Sequence, residues 1–160
     1  MEVHSPHAPL LRLLFELYIL LDQLALLQPG VLRLPDPITG RHADADINAP
    51  AARKAGYSDA AINLMYQMPY LNVDLRNIFT EILPSTYPVS YLRLANNCEG
   101  DDDDNDHFEL WREMLNEEMM PSSALVLTRI EIYGRVLIYD VNTRTVLLGR
   151  TTPRCVFPTF

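Results

Sequence analysis

The sequence predicts an α+β domain, with N-terminal helices packed on a C-terminal antiparallel meander of about three or more strands. Three observations carry that prediction. A long apolar segment opens the chain, and shorter helical segments with recognisable caps follow it. The last third then switches to a period of two with β-branched residues. Helical segments gathered first and strands gathered last are the α+β arrangement. At 160 residues with 48% apolar side chains, the chain has the size and composition of one domain with its own core. Residues 1–160 therefore read as a single unit.

The segment over 8–28, "APLLRLLFELYILLDQLALLQ", reads as a long apolar helix. Pro9 suits a first turn, and Pro29-Gly30 supplies a stop. Arg12, Glu16 and Gln23 fall near one stripe, and nearly everything else is apolar. Such a helix is expected to be central to the core, with dimerisation as the alternative. The stretch 31–51 carries Pro35, Pro37, Pro50 and Gly40 and reads as an irregular Pro-rich loop. "YSDAAINLMYQMPYL" reads as a short helix, with Ser58 as N-cap, Asp59 in the first turn and Pro69 at its end. "VDLRNIFTEIL" is a further short helix candidate closed by Pro84, and Tyr87 and Tyr91 are aromatic anchors after it.

An acidic loop over 99–106 follows, with six carboxylates in the eight residues Glu99 to Asp106. The segment 107–120 is helical by its spacing of Phe108, Trp111 and Leu115, with Asp106 and Glu109 in a capping-box relation. "ALVLTRIEIY", "RVLIYDV" and "TVLLGRTT" are three strands within 124–152. Their short connections, Tyr133-Gly134-Arg135 and Asn142-Thr143-Arg144, require antiparallel neighbours.

Charge narrows the function classes. The net charge is −8, yet Glu99 to Glu118 alone holds ten acids and one base, Arg112. The remainder of the chain is close to neutral. An acidic chain lacks the cationic footprint that phosphate backbones require, so nucleic acid is not expected as a partner. Arg129, Arg135, Arg144, Arg150 and Arg154 make the strand-rich end locally basic, but with few interleaved aromatics. Arg12, Glu16 and Asp22 interrupt the N-terminal apolar run, which argues against a membrane span and against a secretory signal. Cys98 and Cys155 form no CxxC pair and read as reduced thiols, with one bridge between them as the alternative. Cytoplasm or nucleus is the expected location.

The acids invite a calcium loop. Read from Asp102, the residues Asp102, Asp104, Asp106 and Glu113 fall at loop positions 1, 3, 5 and 12. His107 stands where that loop needs Gly, so an EF-hand is not supported, and Asp102 and Asp104 remain only as loose metal candidates. "RHADAD" places His42, Asp44 and Asp46 at alternate positions, which on an extended segment would face one side and could hold a divalent ion. His4 and His7 fall in a terminal segment expected to fray. Nucleophile elbows and phosphate-cradling Gly-rich loops are absent from the sequence, and no cofactor is implied.

Two segments resemble the SUKH superfamily, which includes fungal cell-wall-synthesis regulators and bacterial toxin-immunity proteins. In "LPSTYPVSYLRLANN" the matching residues are Leu83, Pro84, Tyr87, Tyr91, Leu92 and Asn96. In "GRVLIYDVNTRTVLLG" they are Tyr139, Asp140 and Val146. Pro88 departs from the pattern, Asn97-Cys98 replaces a Gly-Gly pair, and the Trp-Gly near the sheet is missing. The resemblance spans about residues 83–149 through short motifs. It implies an α+β interaction module without catalytic residues and transfers no site.

The sequence thus predicts a non-catalytic protein-interaction or regulatory module using an acidic surface at 99–118, with Asp101, Asp102, Asp103, Asp104, Glu113 and Glu117 facing the partner. One alternative is a small metal-dependent enzyme or ligand-binding protein built on His42, Asp44 and Asp46. The other is a homo-oligomer assembled through the 8–28 helix.

Overall fold

The structure is a computed structural model and describes residues 5–71, 81–93, 106–112, 120–130 and 134–149. It is α+β, as the pattern predicts. Helix α1 spans Ala8–Gln23, and strand β1, Leu32–Arg33, pairs antiparallel with β2, Tyr70–Leu71. Between them lie α2, Ala49–Lys54, and α3, Asp59–Met65. Strand β3, Thr86–Pro88, precedes α4, Asp106–Arg112. The meander consists of β4, Ala124–Val126, β6, Val136–Asp140, and β7, Thr145–Gly149, with β5, Thr128–Ile130, paired to β3.

Caps decide the helices. The Ser58 hydroxyl accepts the Ala61 N–H at 3.2 Å, so α3 starts where the sequence places it. The Asn48 side chain does the same for Ala51, with Pro50 in the first turn of α2. The segment 31–51 is therefore not wholly irregular: it holds β1, a 3₁₀ turn at Asp44–Asp46 and the start of α2. Pro50 reads as a breaker in isolation, but behind an N-cap it is a helix-initiating residue.

Helix α1 stops at Gln23, short of Pro29. Ala25 takes a positive φ of 54°, the Ala25 N–H donates to Asp22 O at 2.9 Å, and the Leu26 N–H donates to Leu21 O at 3.0 Å. This is a Schellman stop with alanine where glycine is normal. It turns Leu27 back onto Tyr18 and Leu71 in a small buried cluster. Helix α2 ends the same way, with Gly56 at φ 89° and the Tyr57 N–H donating to Ala52 O at 3.0 Å. A Cβ at Gly56 would lie 2.0 Å from Arg112 Nη1. That guanidinium is buried, stacks 5.5 Å from the Tyr57 ring centre and donates to the carbonyls of Ala55 and Met120. It closes the end of α2 against α4.

The meander is antiparallel as predicted, with Leu125 opposite Tyr139 and Tyr139 opposite Val146. The strand expected over 124–133 is not continuous. It breaks at Leu127, where the Leu127 N–H reaches Leu137 O at 2.8 Å while its carbonyl accepts the Val89 N–H at 3.0 Å. The Thr128 hydroxyl then stands in for a peptide group, donating to Arg135 O at 2.7 Å and accepting the Leu137 N–H at 2.8 Å. Beyond the break, β5 pairs with β3, with Pro88 at the strand's end opposite Thr128. The β6–β7 turn is held by the Asp140 carboxylate, which accepts the Asn142 N–H at 2.8 Å. Burial opposes charge there, but the Asn142 and Thr143 amides and the Ser123 hydroxyl outweigh it and hold the carboxyl below its usual range. Helix α4 begins at Asp106, within a residue of the expected start. The remainder of the 107–120 helix, the helix candidate at 73–83 for the most part, and the last strand residues past Gly149 lie outside the described residues.

The core is filled from both layers. Leu10 of α1, Ala52 and Ala55 of the α2 turn, Ile62 and Met65 of α3, Leu125 and Val126 of β4, and Ile138 of β6 share one buried cluster with Tyr91, Phe108 and Trp111. Two substitutions test the helix stops. Ala25→Gly is expected to raise unfolding free energy by about 0.5–1 kcal/mol, because it removes a left-handed alanine. Gly56→Ala is expected to lower it by roughly 2–3 kcal/mol, because it adds a clash with Arg112 to the same strain. Denaturant midpoints of both variants check the opposite signs.

Candidate functional site

Helix α1 is not a central core helix. Only Leu10 and Tyr18 of its sixteen residues are buried, with Leu11 and Leu14 packed partly against the core. Its N-terminus is fixed at the sheet: His7 is buried, and its Nδ1 lies 2.9 Å from the Tyr139 hydroxyl. The fraying expected at His7 therefore does not occur; His4 lies outside the described residues. Burial, helped by Arg144, lowers the His7 pKa and favours the neutral ring.

Helical geometry places Leu13, Leu17 and Leu20, with Leu24 at the C-cap, on one stripe at i, i+4, i+7 and i+11. The stripe faces away from the core, with Leu13 64%, Leu20 51% and Leu24 59% exposed. The polar side of the helix carries the Arg12–Glu16 pair at 2.8 Å, which is too exposed to add much stability. The sequence left two readings of this helix open, central to the core or paired with a partner, and its exposed leucines depart from the first. Strand β7 is a second exposed apolar element: it pairs with β6 on one side, and Val146, Leu147 and Leu148 are all exposed.

The predicted metal residues are not brought together. The segment is a 3₁₀ turn at Asp44–Asp46 rather than extended, so the alternation does not align its side chains. The reason is local: the Asp46 carboxylate accepts the Ala43 N–H at 3.0 Å and tightens the turn. His42 is buried, its Nε2 donating to Met68 O at 2.8 Å, and its ring packs 5.4 Å from that of Tyr70. Asp44 is exposed at the rim of a separate cleft formed with α2 and α3. Among the described residues, no group of three His, Cys, Asp or Glu side chains is placed to hold a metal ion. Asp101, Asp102, Asp103, Asp104, Glu113 and Glu117 lie outside the described residues. Among the described residues, no helix is long and apolar enough to cross a membrane. The chain matches no protein-family model, no curated protein and no solved structure.

The His7 contact makes a pH prediction. A histidine whose pKa is lower in the folded chain takes up a proton more readily when unfolded, so its contribution is complete above about 6.5, the ordinary value, and is lost as pH falls below it. Thermal stability is expected to fall with acidification from pH 7 to pH 5, and His7→Gln is expected to flatten that slope. An unchanged slope in the variant contradicts the contact.

Proposed function

We propose that this chain is a non-catalytic protein-interaction module that docks its partner on the exposed stripe of α1. The observation that carries the reading is the run of leucines at 13, 17, 20 and 24 on a helix otherwise anchored by His7, Leu10 and Tyr18. Contiguous apolar surface of this kind marks interaction sites. A helix presenting anchors at i, i+4, i+7 and i+11 is suited to an apolar groove or a second helix. Burying a leucine side chain yields about 1.5–3 kcal/mol, so the stripe offers enough for stable docking.

Charge selects the partner. With a net charge of −8 and ten acids between Glu99 and Glu118, the chain favours a basic protein, and Asp101 to Asp104 with Glu113 and Glu117 are assigned to steering it. The SUKH resemblance implies the same class of function. The metal-dependent alternative is weakened by His42, whose Nε2 is committed to a core carbonyl.

The test uses the partner recovered with the full-length chain and compares binding of wild type with two variants. Leu17→Glu combined with Leu20→Glu is expected to weaken binding at least tenfold while leaving the circular dichroism spectrum and melting temperature intact. Changing Asp101 to Asp104 to Asn is expected to slow association at low salt and leave dissociation nearly unchanged. Wild-type affinity in the double leucine variant overturns the docking surface. A dimer of the chain itself that dissociates in that variant reassigns the stripe to a second copy.

A further inference from the structure

The cleft that Asp44 borders has a composition the acidic chain does not otherwise prepare for. It has a volume of about 550 Å³ and is walled by the Arg41–Ile47 segment, α2, α3 and Arg93. Three of the chain's twelve arginines, Arg41, Arg53 and Arg93, line it. Arg41 is held by two contacts: it lies 4.8 Å above the centre of the Tyr66 ring, and its Nη1 donates to Asn63 Oδ1 from the same face of α3. Arg53, in the last turn of α2, pairs through its Nε with Asp59 Oδ1 at 2.8 Å, at an exposed position. The Arg93 backbone is tied down by its N–H donating to Asp46 O at 2.8 Å. Tyr66 itself is fixed through its hydroxyl, which donates to Ile47 O at 3.3 Å. Burial and Asp44 raise the Tyr66 pKa, and the charges of Arg41, Arg53 and Arg93 oppose that rise.

We infer that this cleft binds a small ligand carrying one oxyanion group, a phosphate monoester or a carboxylate, on an apolar body. Guanidinium forks held by stacking and hydrogen bonds are suited to bidentate capture of an oxyanion. Ala49 and Pro50 line the same cleft with the buried Ile47 and Ile62 behind them, and give it an apolar side for the body of the ligand. The volume falls within the range of small-molecule sites. Asp44 and Asp59 also line the cleft and set its charge limit: they leave a small positive excess, which suits one oxyanion and disfavours polyanions such as a triphosphate. This site is independent of the α1 stripe and of the partner proposed for it.

The test titrates the full chain with phenyl phosphate, benzoate and inorganic phosphate, followed by calorimetry and by backbone amide shifts in α2 and α3. Saturable binding of at least one aromatic anion, tighter than inorganic phosphate, is expected. Arg41→Met and Arg53→Met are each expected to weaken it by about tenfold or more, the scale of a charge-assisted hydrogen bond. Arg41→Lys keeps the charge and the fold but loses the fork, and is expected to fall between them. Arg12→Met makes the same charge change on α1 and is expected to leave binding unchanged. Absence of saturable binding to both aromatic anions, or equal losses in Arg12→Met and Arg41→Met, overturns the site.

Discussion

The hydroxyl of Tyr91 joins the two layers of this protein. It accepts the Val126 N–H at 2.9 Å and donates to the Val126 carbonyl at 3.1 Å, in a position where the side chain is fully buried. Both backbone groups of Val126 are thus turned away from β6 and paired with one side chain, which acts as a one-residue strand partner. Leaving either group unpaired in the core would cost about 1–3 kcal/mol. The Tyr91 ring is equally committed. It stacks on Phe108 of α4 with centroids 6.2 Å apart and meets Tyr57 and Tyr70 edge-on at 6.0 and 6.4 Å. Edge and stacked aromatic contacts of this kind add to simple burial. Burial raises the Tyr91 pKa well above its ordinary value and pushes that of Tyr57 up to about 12, so both keep their phenolic protons and remain donors.

The rest of the architecture is built around that tie. At Leu127 the N–H faces β6 and the carbonyl faces Val89, so β4 and β5 do not form one straight strand, and Thr128 and Thr86 repair the ladder with side-chain hydroxyls on either side of Arg135. Gly134 is required at that join, since a Cβ there would lie 2.0 Å from Ser85 O. The helix ends converge on the same region, with Arg112 bonded to Ala55 and Met120. Helices α2, α3 and α4 with the sheet therefore complete the core around Tyr91. Helix α1 contributes one edge to it, which leaves its leucine stripe free for another surface.

What the sequence revealed depended on how local the chemistry was. Ser58 starts α3 as expected because a cap acts within a few residues, whereas the helix ends at Met65, ahead of Pro69. The β6–β7 hairpin was legible because Asp140 and the Asn-Thr-Arg turn carry their own hydrogen bonds. Tyr91 was recognisable as an anchor, but its bond to Val126 crosses 35 residues and leaves no periodic mark. Helix α2 was hidden because Pro50 and Asn48 have opposite meanings in a loop and at a helix start. The early stop of α1 at Ala25 lacks the glycine that normally signals it. For the candidate sites, spacing suggested His42, Asp44 and Asp46, and local bonds separated them. Arg41, Arg53 and Arg93 meet only through tertiary structure, so their cleft had no signature in the chain.

Hydrogen exchange at a single amide tests the Tyr91 tie most directly. The Val126 N–H is expected to be among the slowest to exchange in the native protein. In Tyr91→Phe, which keeps the ring and removes only the hydroxyl, it is expected to exchange faster by a larger factor than the amides of β6 and β7. Unchanged protection at Val126 in that variant would contradict the account, because the strand would then be held without the side chain placed here at its centre.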